Sequence, residues 1–483
     1  MEGERAHPVN NYGLMLPACG RIPQSPLFLL MRYFEVMSKN LSALVRACGL
    51  VLVCVPASVS AAEQSPPTLK LAGDWQVQVS SGGQAEAVTL DVAPPNEFTV
   101  KAEKHDQLPL FNPGTAGWIK GAALRGVVAQ ECTSFGMLDP ASVVVRTATQ
   151  ADARRLEQGK DYQVDPDWGT IGRVAGGSLG ENQAVYIDYR YAAMRLDSIV
   201  LTGAGKIELR QGKPHVSLPE PPTLKDGERR LANVYLSGRM AKLEAQNLFP
   251  ILEAAYPEQP KSSPSVAERL LPKTLAKLRS GSPVRILAWG DSVTVGTFVP
   301  DSDHNRWQAQ FVERLQTQFP QAKIELLTEA WGGRSTASYL AEPPGSPHNY
   351  QEKVLGVKPD LVVSEFVNDA GLTPEQVEER YSKFLADFTA IGAEWIILTP
   401  HYVRPDWMGL TAQRDIDSDP RPYVAGVRQF AASHKVALGD ASLRWGRLWR
   451  QGIPYNTLNM NTINHPNPLG MKLFADSLMV LFP

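Results

Sequence analysis

Four places in the chain carry residues that together can transfer an acyl group. Ser292 stands in Gly290-Asp291-Ser292-Val293-Thr294, directly after an apolar run. A serine hydroxyl is a weak nucleophile at neutral pH and needs a base. His465, in Asn461-Thr462-Ile463-Asn464-His465-Pro466-Asn467-Pro468, sits in a loop held by prolines and can be that base. Between them lie Trp331-Gly332-Gly333-Arg334 and Val367-Asn368-Asp369. Paired glycines let backbone N–H groups approach a ligand closely. An asparagine can aim its side-chain N–H2 at the same point, and such donors build an oxyanion hole. Each motif taken singly has an ordinary alternative: a loop Gly-Asp-Ser, a plain glycine turn, an Asx turn, a solvated histidine. Nor is the first motif a Gly-x-Ser-x-Gly elbow, because Thr294 stands where the second glycine belongs.

The elements that must position these residues are legible from Val284 onward. Strands are expected at Val284–Trp289, Lys323–Thr328, Asp360–Val367, Glu394–Thr399 and Lys435–Leu438. Helices are expected at Arg306–Phe319, Pro374–Ile391, Pro422–His434 and Leu469–Leu481. Near-continuous apolar strands alternating with helices imply a parallel sheet covered on both faces. Ligands bind such sheets at the carboxyl ends of the strands. Three of the four motifs directly follow an expected strand, and His465 lies in the loop before the last helix. Their shared order and placement make coincidence a poor account of them.

This arrangement resembles the SGNH hydrolases, the GDSL-type esterases and lipases, over about 284–483. The resemblance implies a flavodoxin-like three-layer α/β/α fold. It implies Ser292 as nucleophile, with its own N–H, Gly333 and Asn368 lining the oxyanion hole, and His465 as general base and then acid. It implies no metal and no organic cofactor. Two positions depart from the family pattern. Phe366 stands where a glycine usually precedes the asparagine by two. Thr462 stands where the family has an aspartate three residues before the histidine, so no carboxylate is supplied there to orient the imidazole. Either a neutral group serves in a Ser–His dyad or an acid arrives from elsewhere; Asp440, after the fifth strand, is one possibility.

Three further residues are candidates for substrate contact: Trp331 and Arg334 beside the glycine pair, and His401 after the fourth strand. Trp407 also flanks the expected pocket. Trp75, Trp118 and Trp168 in the N-terminal half read as core or interdomain residues ahead of sugar-stacking ones. Asp301-Ser302-Asp303 resembles the start of a calcium loop, but Arg306 occupies the glycine position and no glutamate closes it.

The 483 residues suggest two or three domains. From about Thr68 to Leu209, short alternating runs broken by Gly, Pro and Asn indicate an antiparallel, sandwich-like all-β domain. The expected division is 1–62 leader, 63–213 β-domain, 214–280 linker and helical segment, and 281–483 hydrolase domain. Within 214–280, Arg229–Leu252 and Val266–Leu278 read as amphipathic helices. The leader rests on Ala47–Ala62, an apolar run preceded by Lys39 and Arg46 and ending in small residues, the pattern of a secretory signal peptide. Met37 is the expected start, with an upstream extension before it. Cleavage would leave Cys132 as the single cysteine, with no intramolecular disulfide or Cys-based metal site. Lys+Arg number 48 against 50 Asp+Glu, so no positive field exists to hold nucleic acid, and no span would remain in a membrane.

The resulting expectation is a secreted or periplasmic bacterial serine esterase acting on O-acetyl groups of a polysaccharide or oligosaccharide. The alternatives are a short-chain lipase or thioesterase, or a non-catalytic glycan-binding protein that keeps the fold.

Overall fold

The strand Pro283–Gly290 buries both of its faces: Val284, Ile286 and Ala288 on one side, Leu287 and Trp289 on the other. A strand apolar on both faces must lie inside a sheet with helices above and below. In the computed structural model, which describes residues 66–81 and 86–483, it has a parallel neighbour on each side. The sheet runs Lys323–Ala330, Pro283–Gly290, Leu361–Glu365, Glu394–Leu398, Ala437–Gly439, all parallel. That is the 2-1-3-4-5 order of flavodoxin-like folds, with the crevice where the order reverses. One face packs on Trp307–Gln318 and Pro468–Met479, the other on Pro374–Ala390 and Pro422–His434. The helix starts follow local chemistry. Thr373 and Gln376 form a capping box ahead of Pro374, and Asn467 accepts from the Gly470 N–H at 2.9 Å ahead of Pro468.

The N-terminal region is all-β, as expected. Its paired strands form small antiparallel sheets, including Glu97–His105, Val185–Ala192 and Leu138–Arg146 in one, and Thr68–Gly73, Gln76–Ser80 and Val88–Asp91 in another. The described residues form one compact unit, and its largest apolar core runs without a break from Leu138 and Tyr189 to Ile286 and Leu398. Trp168 and Trp118 join Ile463 in a small cluster between the β-strands and the loop that carries His465. Trp75 packs in a separate β-core. The leader segment Ala47–Ala62 lies outside the described residues. Among the described residues no helix is long and apolar enough to cross a membrane.

One expectation is corrected. Arg229–Leu252 is not helical: Arg229–Leu236 is a strand paired with Arg195–Leu201, followed by a short strand at Leu248–Pro250. From Leu231 to Leu236 every residue is buried, because both faces of the strand are covered. An apolar run of that length carries no decisive period, and available sheet partners settle it. This segment also binds the two halves together. Asn233 Nδ2 donates to the Gly452 carbonyl at 2.7 Å, and the Leu252 N–H to the Arg450 carbonyl at 2.7 Å. The Val266–Leu278 helix is present but broken before Pro272 into Val266–Leu270 and Pro272–Ser280.

Candidate active site

Gly290 ends the first sheet strand because nothing larger fits there. A Cβ at this position would lie 2.1 Å from Thr294 Oγ1 and 2.5 Å from the Glu365 carbonyl oxygen. The chain turns at once into the one-turn helix Ser292–Val295, with Asp291 accepting from the Val293 N–H at 3.0 Å. Ser292 therefore faces the sheet edge, with its own N–H free of intrahelical demand. Its Oγ lies 3.0 Å from His465 Nε2, and both side chains are nearly buried. Phe298 covers the imidazole at 5.5 Å between ring centres.

The residues expected to supply oxyanion donors stand on loops next to the serine motif. A Cβ on Gly332 would sit 3.8 Å from Ser292 Cβ, which puts the glycine turn beside the hydroxyl. Gly333 has φ +71°, the left-handed conformation that favours glycine. Asn368 is exposed at the site, and one of its two Nδ2 hydrogens goes to Asp291 Oδ2 at 2.9 Å. The Asn368 N–H reaches the same oxygen at 3.0 Å. Asp291 thus holds the asparagine and leaves its second side-chain N–H for a ligand. Asp369 clamps the glycine loop from behind, accepting from the Thr336 N–H at 3.0 Å and Thr336 Oγ1 at 2.7 Å. Phe366, the departure from the family glycine, is buried edge-on against Trp289 at 4.8 Å and fills core.

Of the expected substrate contacts, Trp331 and Arg334 stay partly exposed beside Gly333. The Arg334 guanidinium lies 4.9 Å from the Trp331 ring centre, and His348 stacks on the same ring at 4.5 Å. His401 is corrected. It is fully buried against Trp445 and Phe474, and desolvation holds its pKa well below the usual histidine value. A neutral, enclosed imidazole cannot touch substrate. Asp440 is corrected as well, because its carboxylate is taken by Arg428 at 2.8 and 3.0 Å and by Thr399 Oγ1 at 3.0 Å.

Thr462 does not replace the missing aspartate. It has φ +59°, and its buried Oγ1 has no hydrogen-bond partner. Two other groups meet His465 Nδ1: Asn461 Nδ2 at 3.1 Å and Glu131 Oε1 at 3.1 Å. Asn461 was visible as part of the histidine motif, though with no role attached. Glu131 gave no signal, lying 330 residues from Asn461 on a hairpin of the β-region. Desolvation raises the Glu131 pKa, but hydrogen bonds from His465 and Asn461 and the attraction of His465 outweigh it, leaving it below its ordinary value. The neighbouring Cys132 thiol is buried, and desolvation pushes it up to about 12, where it is unreactive at neutral pH.

Beneath Ser292 lies a buried acid pair. Asp291 is pushed up to about 7, first by burial. Glu365 is fully buried and raised well above its ordinary value by burial and by the Asp291 charge. A folded carboxyl with a raised pKa binds more protons than its unfolded counterpart, so stability falls as pH climbs above the unfolded value. Glu365→Gln, an isostere of the protonated acid, should remove its share of that loss. Its urea midpoint relative to wild type should rise from pH 5 to pH 8; a difference that does not change with pH would exclude a neutral Glu365.

Residues 288–473 match the GDSL-like Lipase/Acylhydrolase family. Comparison with curated proteins gives no match. Among solved structures, the chain is similar to a two-domain esterase (CEX) active on acetylated mannans, at 19% identity and TM-score 0.34, covering 43% of this chain and 51% of that one. It thus spans about half the length of that relative. It is also similar to Axe2, an acetyl xylan esterase from Geobacillus stearothermophilus, at 17% identity and TM-score 0.32, covering 41% of this chain and 93% of that one. A third is LAE5, an alpha/beta hydrolase enzyme from the metagenome of Lake Arreo, at 20% identity and TM-score 0.32, covering 41% and 93%. The serine, the glycine turn, the asparagine and the histidine all fall inside the residues that match this GDSL-like lipase/acylhydrolase family.

Proposed function

We propose that the protein is a secreted bacterial serine esterase that removes O-acetyl groups from a carbohydrate. The reading rests above all on the 3.0 Å approach of Ser292 Oγ to His465 Nε2 at the carboxyl edge of the sheet. Ser292 Oγ attacks the ester carbonyl carbon as its proton passes to Nε2. The tetrahedral oxygen accepts from the Ser292 N–H, the Gly333 N–H and the second Asn368 Nδ2–H. His465 returns the proton to the leaving alcohol, and an acetyl-enzyme remains. Water, deprotonated by His465, releases acetate and restores the hydroxyl.

Support for a sugar acceptor is more local. Trp407 is 49% exposed and leans on Trp118 of the β-region at 5.7 Å. Both lie beside the histidine loop, since the Arg404 N–H donates to the Ile463 carbonyl at 2.7 Å. A partly exposed aromatic pair beside the histidine loop suits the face of a pyranose. Secretion rests on the Ala47–Ala62 segment alone.

The test is acetate release from a short acyl ester, acetylated xylan and acetylated mannan, with Ser292→Ala as control. Wild type should release acetate, and the variant should lose about 10⁴-fold or more. Release that persists in folded Ser292→Ala would remove this serine from the mechanism. No release from any of the three would shift the reading to longer acyl or thioester substrates, then to glycan binding without catalysis.

A further inference from the structure

We propose that Glu131, carried by the N-terminal β-region, is the carboxylate that orients His465, so that the reacting set is assembled only when that region is docked. The inference deepens the esterase reading and rests on it.

The tautomer of His465 follows from its neighbours. To take the serine proton, Nε2 must be unprotonated, so the ring hydrogen sits on Nδ1 and needs an acceptor. Asn461 cannot be that acceptor. Its Oδ1 already receives the backbone N–H groups of Ile463, Asn464 and His465 at 3.0, 2.9 and 3.0 Å. Three donors fix the amide orientation and leave only Nδ2 facing the imidazole. That Nδ2 donates instead to Glu131 Oε1 at 3.0 Å and to Asn464 Oδ1 at 3.0 Å. Glu131 Oε1, 3.1 Å from Nδ1, is then the acceptor that the geometry provides. Asp291 turns its oxygens elsewhere, Oδ1 to the Val293 N–H and Oδ2 to the two Asn368 donors.

The hairpin that carries Glu131 is built to hold it there. Val128–Ala129 pairs with Cys132–Thr133, leaving Gln130 and Glu131 as a two-residue turn. Gln130 has φ +59°, a conformation that a non-glycine residue adopts at a cost, and such strain gathers where a side chain must be aimed. The strand behind the turn is fastened to the histidine loop. Cys132 and Trp168 pack on Ile463, and Arg404, whose N–H bonds the Ile463 carbonyl, lies 4.5 Å from the Trp168 ring centre. When His465 takes the serine proton, the Nδ1 proton stays on the ring. Glu131 stays ionised and stabilises the imidazolium without receiving a proton. It acts through His465 and is a positioning residue.

The test compares full-length wild type, Glu131→Gln, Glu131→Asp and His465→Gln by kinetics on a short acyl ester, by fluorophosphonate labelling of Ser292, and by proton NMR of the imidazole N–H region. Iodoacetamide protection of Cys132 reports whether the hairpin is still docked. Glu131→Gln should lower kcat by about 10²–10⁴-fold and change KM little, with Cys132 still protected, and Glu131→Asp should recover part of the loss. A downfield N–H resonance present in wild type should vanish in both Glu131→Gln and His465→Gln. A Glu131→Gln enzyme with near-normal kcat, or with that resonance unmoved, would overturn the assignment. If Glu131→Gln exposes Cys132, the comparison passes to Glu131→Asp, whose kcat must still fall below wild type while Cys132 stays protected. Wild type that neither hydrolyses an ester nor labels, yet shows the Glu131-dependent resonance, would sink the esterase reading and leave the Glu131–His465 pairing standing.

Discussion

Replacing His465 with glutamine is expected to lower kcat by about 10⁴–10⁶-fold on any ester the wild type hydrolyses. The size of the loss follows from the geometry. Nε2, at 3.0 Å, is the base within reach of the Ser292 hydroxyl, and among the described residues no other titratable side chain hydrogen-bonds Oγ. Without it the hydroxyl keeps its proton, and the leaving alkoxide finds no acid. The substitution should leave the fold intact, because the backbone N–H of residue 465 still reaches Asn461 Oδ1. The double variant Ser292→Ala/His465→Gln should be no worse than either single one, since the two residues act as a unit. Residual rate from the oxyanion donors alone should survive in all three. Losses that multiply in the double variant would mean that serine and histidine work in separate steps.

The second large effect concerns a residue that never touches substrate. Asn461→Ala deletes the acceptor for three backbone N–H groups in the turn that carries His465. Each orphaned buried donor costs about 1–3 kcal/mol, and water will reach some of them, so a net loss of about 2–4 kcal/mol is expected. The same change frees His465 to swing, so kcat should fall at least tenfold in protein that remains folded. Asn461→Asp separates the two effects. It keeps an acceptor for the three amides but replaces the Nδ2 donor with a second carboxylate facing Glu131. Its urea midpoint should lie well above that of Asn461→Ala. Equal midpoints for the two variants would show that the amide contacts contribute little.

How much of this was legible depended on how local each cause is. The strands at Val284–Trp289 and Glu394–Thr399 and the helices at Pro374–Ile391 and Pro422–His434 were read within a residue or two, because strand length, capping residues and proline positions are neighbours in sequence. The segment Arg229–Leu252 was misread for the opposite reason. Its apolar run carries no decisive period, and pairing with the Arg195–Leu201 strand made it a sheet member. His401 shows the same limit at the site. Following a strand end placed it at the right edge of the sheet, but packing of Trp445 and Phe474 closed that position off.

By itself, the sequence determined the succession of strands and helices in the parallel α/β half and put Ser292, Gly333, Asn368 and His465 in loops at strand ends or the sheet edge, because turn glycines and strand ends are encoded by adjacent residues. It also showed that the usual aspartate was absent at Thr462. What stands at His465 Nδ1 in its place was decided only by tertiary structure. Glu131 comes from a hairpin of the other half of the chain, and its approach depends on a continuous core, a strained turn at Gln130 and an asparagine whose orientation three amides hold. No spacing rule connects residues whose only bond is that two independently patterned regions share one interface.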